Sequence, residues 1–104
     1  MRQMADPYGM LGLAMRAGKV QTGESVCEKL VKTGKACLVL VDGGASANTV
    51  KAISDTCTTY RVPLRKTEPG RIGSATGKSG RMTACITDAG FAERLKILIP
   101  ENEP

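Results

Sequence analysis

Ala36-Cys37-Leu38-Val39-Leu40-Val41 is a run of six apolar residues that ends abruptly at Asp42-Gly43-Gly44. A half-exposed strand would alternate apolar and polar residues, and six residues make less than about two turns of helix. The run therefore predicts a strand buried on both faces, and such a strand requires helices above and below it. The flanking segments supply them. Met10, Leu13, Ala14 and Ala17 recur at helical spacing, and Gly18 is placed to close that helix. A second helical stretch runs from Gly23 to Gly34, with Val26, Cys27, Leu30 and Val31 on one face and Ser25, Glu28, Lys29 and Lys32 on the other. Thr22 is its expected N-cap.

After Asp42-Gly43-Gly44, residues 46–59 carry Val50, Ile53 and Cys57 at helical spacing. "YRVPLRK" reads as a short strand whose proline argues for an edge position. "TEPGRIGSATG" reads as a short helix with Pro69 near its start, "RMTACI" as a further strand, and "TDAGFAERLKIL" as a closing helix. That helix has Asp88 near its start and turns Phe91, Leu95 and Leu98 inward, and the last residues, "PENEP", are expected to fray. Alternating helices and strands imply an α/β chain, a three-layer α/β/α sandwich with a mixed four-stranded sheet. At 104 residues it is expected to form a single domain, residues 1–104, with its core from about 5 to 98.

Several function classes lose ground on composition. There is no histidine, and Cys27, Cys37, Cys57 and Cys85 lie 10, 20 and 28 residues apart without a C-x-x-C pair. Zinc and a disulfide framework are therefore not expected, and the cysteines read as small core residues. No cofactor is expected. The apolar stretch "YGMLGLAM" runs into Arg16 with no small-x-small cleavage site, so a cytoplasmic, non-membrane protein is expected. Gly77-Lys78-Ser79 imitates the end of a phosphate-binding P-loop, but the required first glycine falls on Ile72, and an apolar strand follows rather than a helix. Without histidine a serine or cysteine nucleophile lacks its usual base, so the chain is not expected to be an enzyme. Asp42 and Asp55 read as ordinary loop or helix-surface carboxylates.

Net charge is +5, and residues 61–81 alone hold six basic residues and one acid. Such concentration points to a polyanionic partner. With only Tyr8, Tyr60 and Phe91 as aromatics, a base-stacking platform is not expected. A helix opening at Gly23, Glu24 and Ser25, with Lys29 and Lys32 beyond it, offers amide donors and cations. The glycine-rich basic segment Gly77, Lys78, Ser79, Gly80 and Arg81 offers close backbone approach and charge. These ten residues are the candidate site, suited to an RNA with a sharp backbone bend. A protein-interaction module with only general RNA affinity is the alternative.

The blocks "LGLAMRAGKVQTGESVCEKLVKTGKACLVLVDGGASANTVKAI", "YRVPL", "IGSATGK" and "ITDAGFAERL" resemble the ribosomal protein superfamily that binds kink-turn RNA, most closely its bacterial YlxQ-like branch. The resemblance covers about residues 9 to 98. It implies the same α/β/α sandwich, structured kink-turn or ribosomal RNA as partner, the ribosome as a candidate location, a monomer, and neither catalysis nor cofactor. Archaeal members open the second helix G-x-N-E-x-x-K and contact guanines of tandem sheared G·A pairs there. Gly23 and Lys29 match that pattern, whereas Ser25 and Val26 stand at the asparagine and glutamate positions. Serine offers one short hydroxyl and valine no polar group.

Overall fold

The computed structural model describes residues 6–101. Its elements are α1 (Pro7–Arg16), β1 (Val20–Thr22), α2 (Glu24–Lys32), β2 (Leu38–Asp42), α3 (Ala47–Tyr60), β3 (Leu64–Thr67), α4 (Arg71–Thr76), β4 (Thr83–Ile86) and α5 (Ala89–Leu98). The sheet order is β1-β4-β2-β3. β4 runs antiparallel to β1 and β2, and β2 runs parallel to β3, so the sheet is mixed.

All five residues of β2 are buried, as the apolar run requires. Leu38 and Leu40 face one core with Leu11, Ala14, Ile72 and Leu95, from α1, α4 and α5. Val39 and Val41 face the other, with Cys27, Val31, Ile53 and Cys57 from α2 and α3. The period-2 alternation of strand side chains thus feeds two helical layers from one strand. Burying each such aliphatic side chain stabilises the fold by about 1.5–3 kcal/mol.

Local chemistry sets the element ends. Asp6, Ser46 and Asp88 cap α1, α3 and α5 by accepting from the N–H groups of Tyr8, Thr49 and Phe91. β3 is an edge strand, and it starts only after Pro63. Tyr60 closes α3 instead of opening that strand. Leu95 is fully buried, while Phe91 and Leu98 are half-buried. In the closing "PENEP", residues 102–104 lie outside the described residues, as does residue 5.

Two expectations fail around α2. Thr22 is the last residue of β1, and Gly23 takes the N-cap position. The reason is the sheet: Val20, Gln21 and Thr22 pair with Ile86, Cys85 and Ala84, which leaves Thr22 buried in extended backbone. Val26, assigned above to the apolar face, is 43% exposed. The helix buries Cys27 and Val31, with Leu30 half-buried, and Val26 sits at the margin of that stripe.

Candidate functional site

The ends of β1 and β2 and the start of β4 meet at one end of the sheet, because Thr22 pairs with Ala84 and Val41 with Thr83. Gly23 continues from β1 by donating its N–H to the Thr83 carbonyl at 3.1 Å, and its own carbonyl accepts the Cys27 N–H at 2.9 Å. One residue thus closes a sheet ladder and opens a helix, with φ +107° and ψ 142°, a conformation that glycine adopts without strain. No side chain caps this end, and Glu24, Ser25 and Val26 are all exposed. The opening N–H groups and the positive end of the helix dipole therefore face outward.

Arg81 lies directly over this opening. Its Nη1 donates to the Thr22 carbonyl at 3.3 Å, and a Cβ added to Gly23 would stand 2.9 Å from that nitrogen. Arg81 belongs to the turn 77–82, which follows α4. In that turn the Lys78 N–H donates to the Gly73 carbonyl at 3.1 Å, and the Arg81 N–H to the Lys78 carbonyl at 3.4 Å. Gly77, Lys78, Ser79, Gly80, Arg81 and Met82 are all exposed. Residues 71–76 form the short helix expected within "TEPGRIGSATG", and Gly73 packs beneath Lys78 and Ser79.

The structure therefore brings Gly23, the residue from which Glu24 and Ser25 open the helix, beside Arg81. Lys29, one turn beyond Ser25, and Lys32 are exposed along α2. Lys29 also lines an open groove of about 920 Å³ with Gln21, Val26, Leu30 and Lys35. Lys78 is exposed in the 77–82 turn. The Gly77-Lys78-Ser79 sequence follows a helix and precedes a strand, the reverse of a P-loop's order.

The basic segment 61–81 does not form one patch. Arg65, on the edge strand β3, is 14% exposed and lies 3.9 Å from Glu101. Arg71 lies 4.2 Å above the Tyr8 ring and 3.7 Å from Glu68. Of that segment, Arg81 is the residue held against the helix opening, and Lys29 and Lys32 are exposed along α2.

Asp42 differs from the ordinary carboxylate that the sequence suggests: it is 1% exposed and underpins the site. Its Oδ2 accepts the Gly44 N–H and its Oδ1 the Gly70 N–H, both at 2.8 Å. Its own N–H donates to the Met82 carbonyl at 2.8 Å. One residue thus fixes the turns after β2 and β3 and the backbone next to Arg81. The available signal was an aspartate followed by two glycines at the end of an apolar strand. Asp55, in contrast, pairs with Lys51 on the surface of α3.

The cysteines are free thiols, with Cys27, Cys57 and Cys85 buried and Cys37 half-buried. Burial, and then the neighbouring Cys27, push the Cys57 thiol up to about 11. The contact of Cys85 with Cys27, together with burial, holds the Cys85 thiol protonated far above its ordinary range. These groups act as apolar filler. Among the described residues no group of three His, Cys, Asp or Glu side chains is arranged to hold a metal ion, and no helix is long and apolar enough to cross a membrane.

Comparison with known proteins matches this architecture. The profile of the "Ribosomal protein L7Ae/L30e/S12e/Gadd45 family" matches residues 6–96. The chain is 41% identical over 93 residues to "RNA-binding protein YlxQ" of Bacillus subtilis (strain 168), an alignment covering 88% of this chain and 93% of that protein. It is 38% identical over 91 residues to the protein of the same name from Enterococcus faecium, covering 86% and 87%. Among solved structures, a protein of unknown function from Bacillus halodurans C superposes with a TM-score of 0.86 at 34% identity, over 91% of this chain and 97% of that one. The Giardia lamblia 15.5kD RNA binding protein superposes with a TM-score of 0.72 at 19% identity, over 88% and 86%, and shares the fold. The profile match across nearly the whole chain and the identity to the bacterial proteins lead to one assignment: this chain belongs to the L7Ae/L30e/S12e/Gadd45 ribosomal protein family, on its YlxQ-like branch.

Proposed function

We propose that this protein binds structured RNA of the kink-turn type, as a monomeric single domain in the cytoplasm, without catalysis or cofactor, and with ribosomal RNA as one candidate target. The observation that carries this reading is the contact between Arg81 and the opening of α2. It joins an uncapped helix end and a cationic turn into one surface, and a bent backbone presents phosphates to both at once. Relatives named as RNA-binding proteins support the same reading. Glu24 and Ser25 contribute backbone donors, and Gly23, whose own N–H is held by the Thr83 carbonyl, keeps that approach free of a side chain. Gly77, Ser79 and Gly80 allow close approach, and Lys29, Lys32 and Lys78 supply phosphate contacts.

Titration of a kink-turn RNA against a plain duplex of equal length tests it. Tighter binding of the kinked RNA is expected, and equal affinities would leave only general electrostatics. Within that titration, Lys78→Ala is expected to flatten the log affinity against log salt dependence by roughly 0.7–0.9, the loss of one phosphate contact. The alternative, a protein-interaction module of the same fold, predicts no preference for the kinked RNA.

A further inference from the structure

The opening of α2 lacks the residues with which an amide or carboxylate could read bases at the second and third helical positions. Ser25 has one hydroxyl and Val26 has none. Lys29 keeps the lysine of that opening, while Lys32 and Lys78 are point charges on flexible stems. One side chain at this surface combines a planar fork with a fixed position. Arg81 is tied by Nη1 to the Thr22 carbonyl and lies over the bare backbone of Gly23. Among the described residues no carboxylate lies within 4.0 Å of it. Among the described residues nothing engages the Nε/Nη2 edge, with its two parallel N–H donors.

We infer that Arg81 reads a guanine of the bound RNA, its Nε/Nη2 edge donating to guanine O6 and N7. This rests on the RNA-binding reading above and names the residue that gives that site its base preference. Two parallel donors match those two acceptors, whereas adenine presents one acceptor and one donor on the same edge. The tether to Thr22 restrains the guanidinium before RNA arrives, so less side-chain freedom is lost on binding. Regular A-form RNA hides the O6/N7 edge in a deep, narrow groove, so the target guanine must lie in an irregular or sharply bent segment. Glu24 is the competing reader, since its carboxylate accepts rather than donates and would address a guanine through its N1–H and N2–H groups. Replacing guanine N7 by carbon separates the two.

The experiment measures affinity for a kink-turn RNA carrying guanine or 7-deazaguanine in its tandem G·A pairs, for the wild-type protein, Arg81→Lys and Glu24→Gln. Wild type is expected to lose about tenfold on 7-deazaguanine RNA. Arg81→Lys, which keeps the charge, is expected to lose about tenfold on the unmodified RNA and to be indifferent to the N7 change. Its salt dependence should match that of wild type. Glu24→Gln should keep the wild-type sensitivity to N7. Equal sensitivity of Arg81→Lys and wild type, an indifferent wild type, or loss of discrimination in Glu24→Gln would each overturn the inference while kinked RNA remained the ligand. A wild-type protein that binds duplex as tightly as the kink-turn removes the RNA reading itself, a distinct result in the same titration. Arg81 is exposed, so Arg81→Lys should melt as wild type does, and a thermal scan checks this.

Discussion

Asp42 carries more of this structure than its place in the sequence suggests. Two backbone N–H groups, one of them 28 residues away, reach its carboxylate at 2.8 Å, and it is 1% exposed. Hydrogen bonds to a charged acceptor contribute about 1.5–3 kcal/mol each, and a buried donor left without a partner costs more than the bond was worth. Asp42→Ala is expected to destabilise the protein by about 3 kcal/mol and lower Tm by at least about 10 °C. Asp42→Asn, keeping one oxygen acceptor, should fall between that variant and wild type. Urea and thermal unfolding of the pair check this, and near-wild-type stability of Asp42→Ala would show that the two turns hold themselves. The sequence showed an acid before two glycines, the mark of a turn. It did not show Gly70, because that partner arrives through the pairing of β2 with β3, which brings Asp42 opposite Thr67. Gly23 has the same character. Its place in a helix opening was legible, while the reason it must be glycine lies in its φ of +107° and in Arg81, 58 positions later.

Among elements, those with a local signal were readable and those without were not. β2 announced itself through six apolar residues, and α3 and α5 through helical spacing behind Ser46 and Asp88. The α3 cap gives a direct measure of how much such local chemistry contributes. The Ser46 hydroxyl accepts the Thr49 N–H at 3.2 Å on an exposed surface, and no other element depends on it. Ser46→Ala should therefore cost about 1 kcal/mol, read by chemical denaturation with an unchanged m-value. A change in m would mean that the start of α3 unfolds separately. β1 had no such signal. Three residues, Val20, Gln21 and Thr22, cannot establish an alternation, and their extended backbone exists only because β4 pairs with them some sixty residues on. The same pairing moved the N-cap from Thr22 to Gly23 and thereby shaped the candidate site. Val26 was misplaced for a related reason. A helical wheel records the direction of each side chain but not the width of the surface that covers it.

At the scale of the whole molecule, the open question is whether the net charge of +5 acts as a diffuse field or through a local surface. Linear sequence favoured a block at residues 61–81, yet the fold disperses it. Arg65 faces Glu101 at one sheet edge, and Arg71 rests on Tyr8. Arg61 closes α3, whose 14 residues run about 20 Å from the Asp42 end of β2 back toward its start, where Pro63 accepts the Val39 N–H. Arg61 is also the only non-glycine residue among those described with a positive φ, at 60°. Arg61→Gly therefore removes one charge at the end of the molecule opposite Gly23 and Arg81, and it relieves a left-handed conformation that costs a side-chain-bearing residue about 1 kcal/mol. If binding is local, this variant should leave the salt dependence of RNA affinity as it is in wild type and should not lower Tm. Lys78→Ala, removing the same single charge, should flatten that dependence by roughly 0.7–0.9. Equal flattening in both variants would mean that the RNA responds to total charge, with no privileged surface at the opening of α2. A difference between them locates the polyanion on that surface, because the two proteins carry identical net charge and differ only in where it was lost.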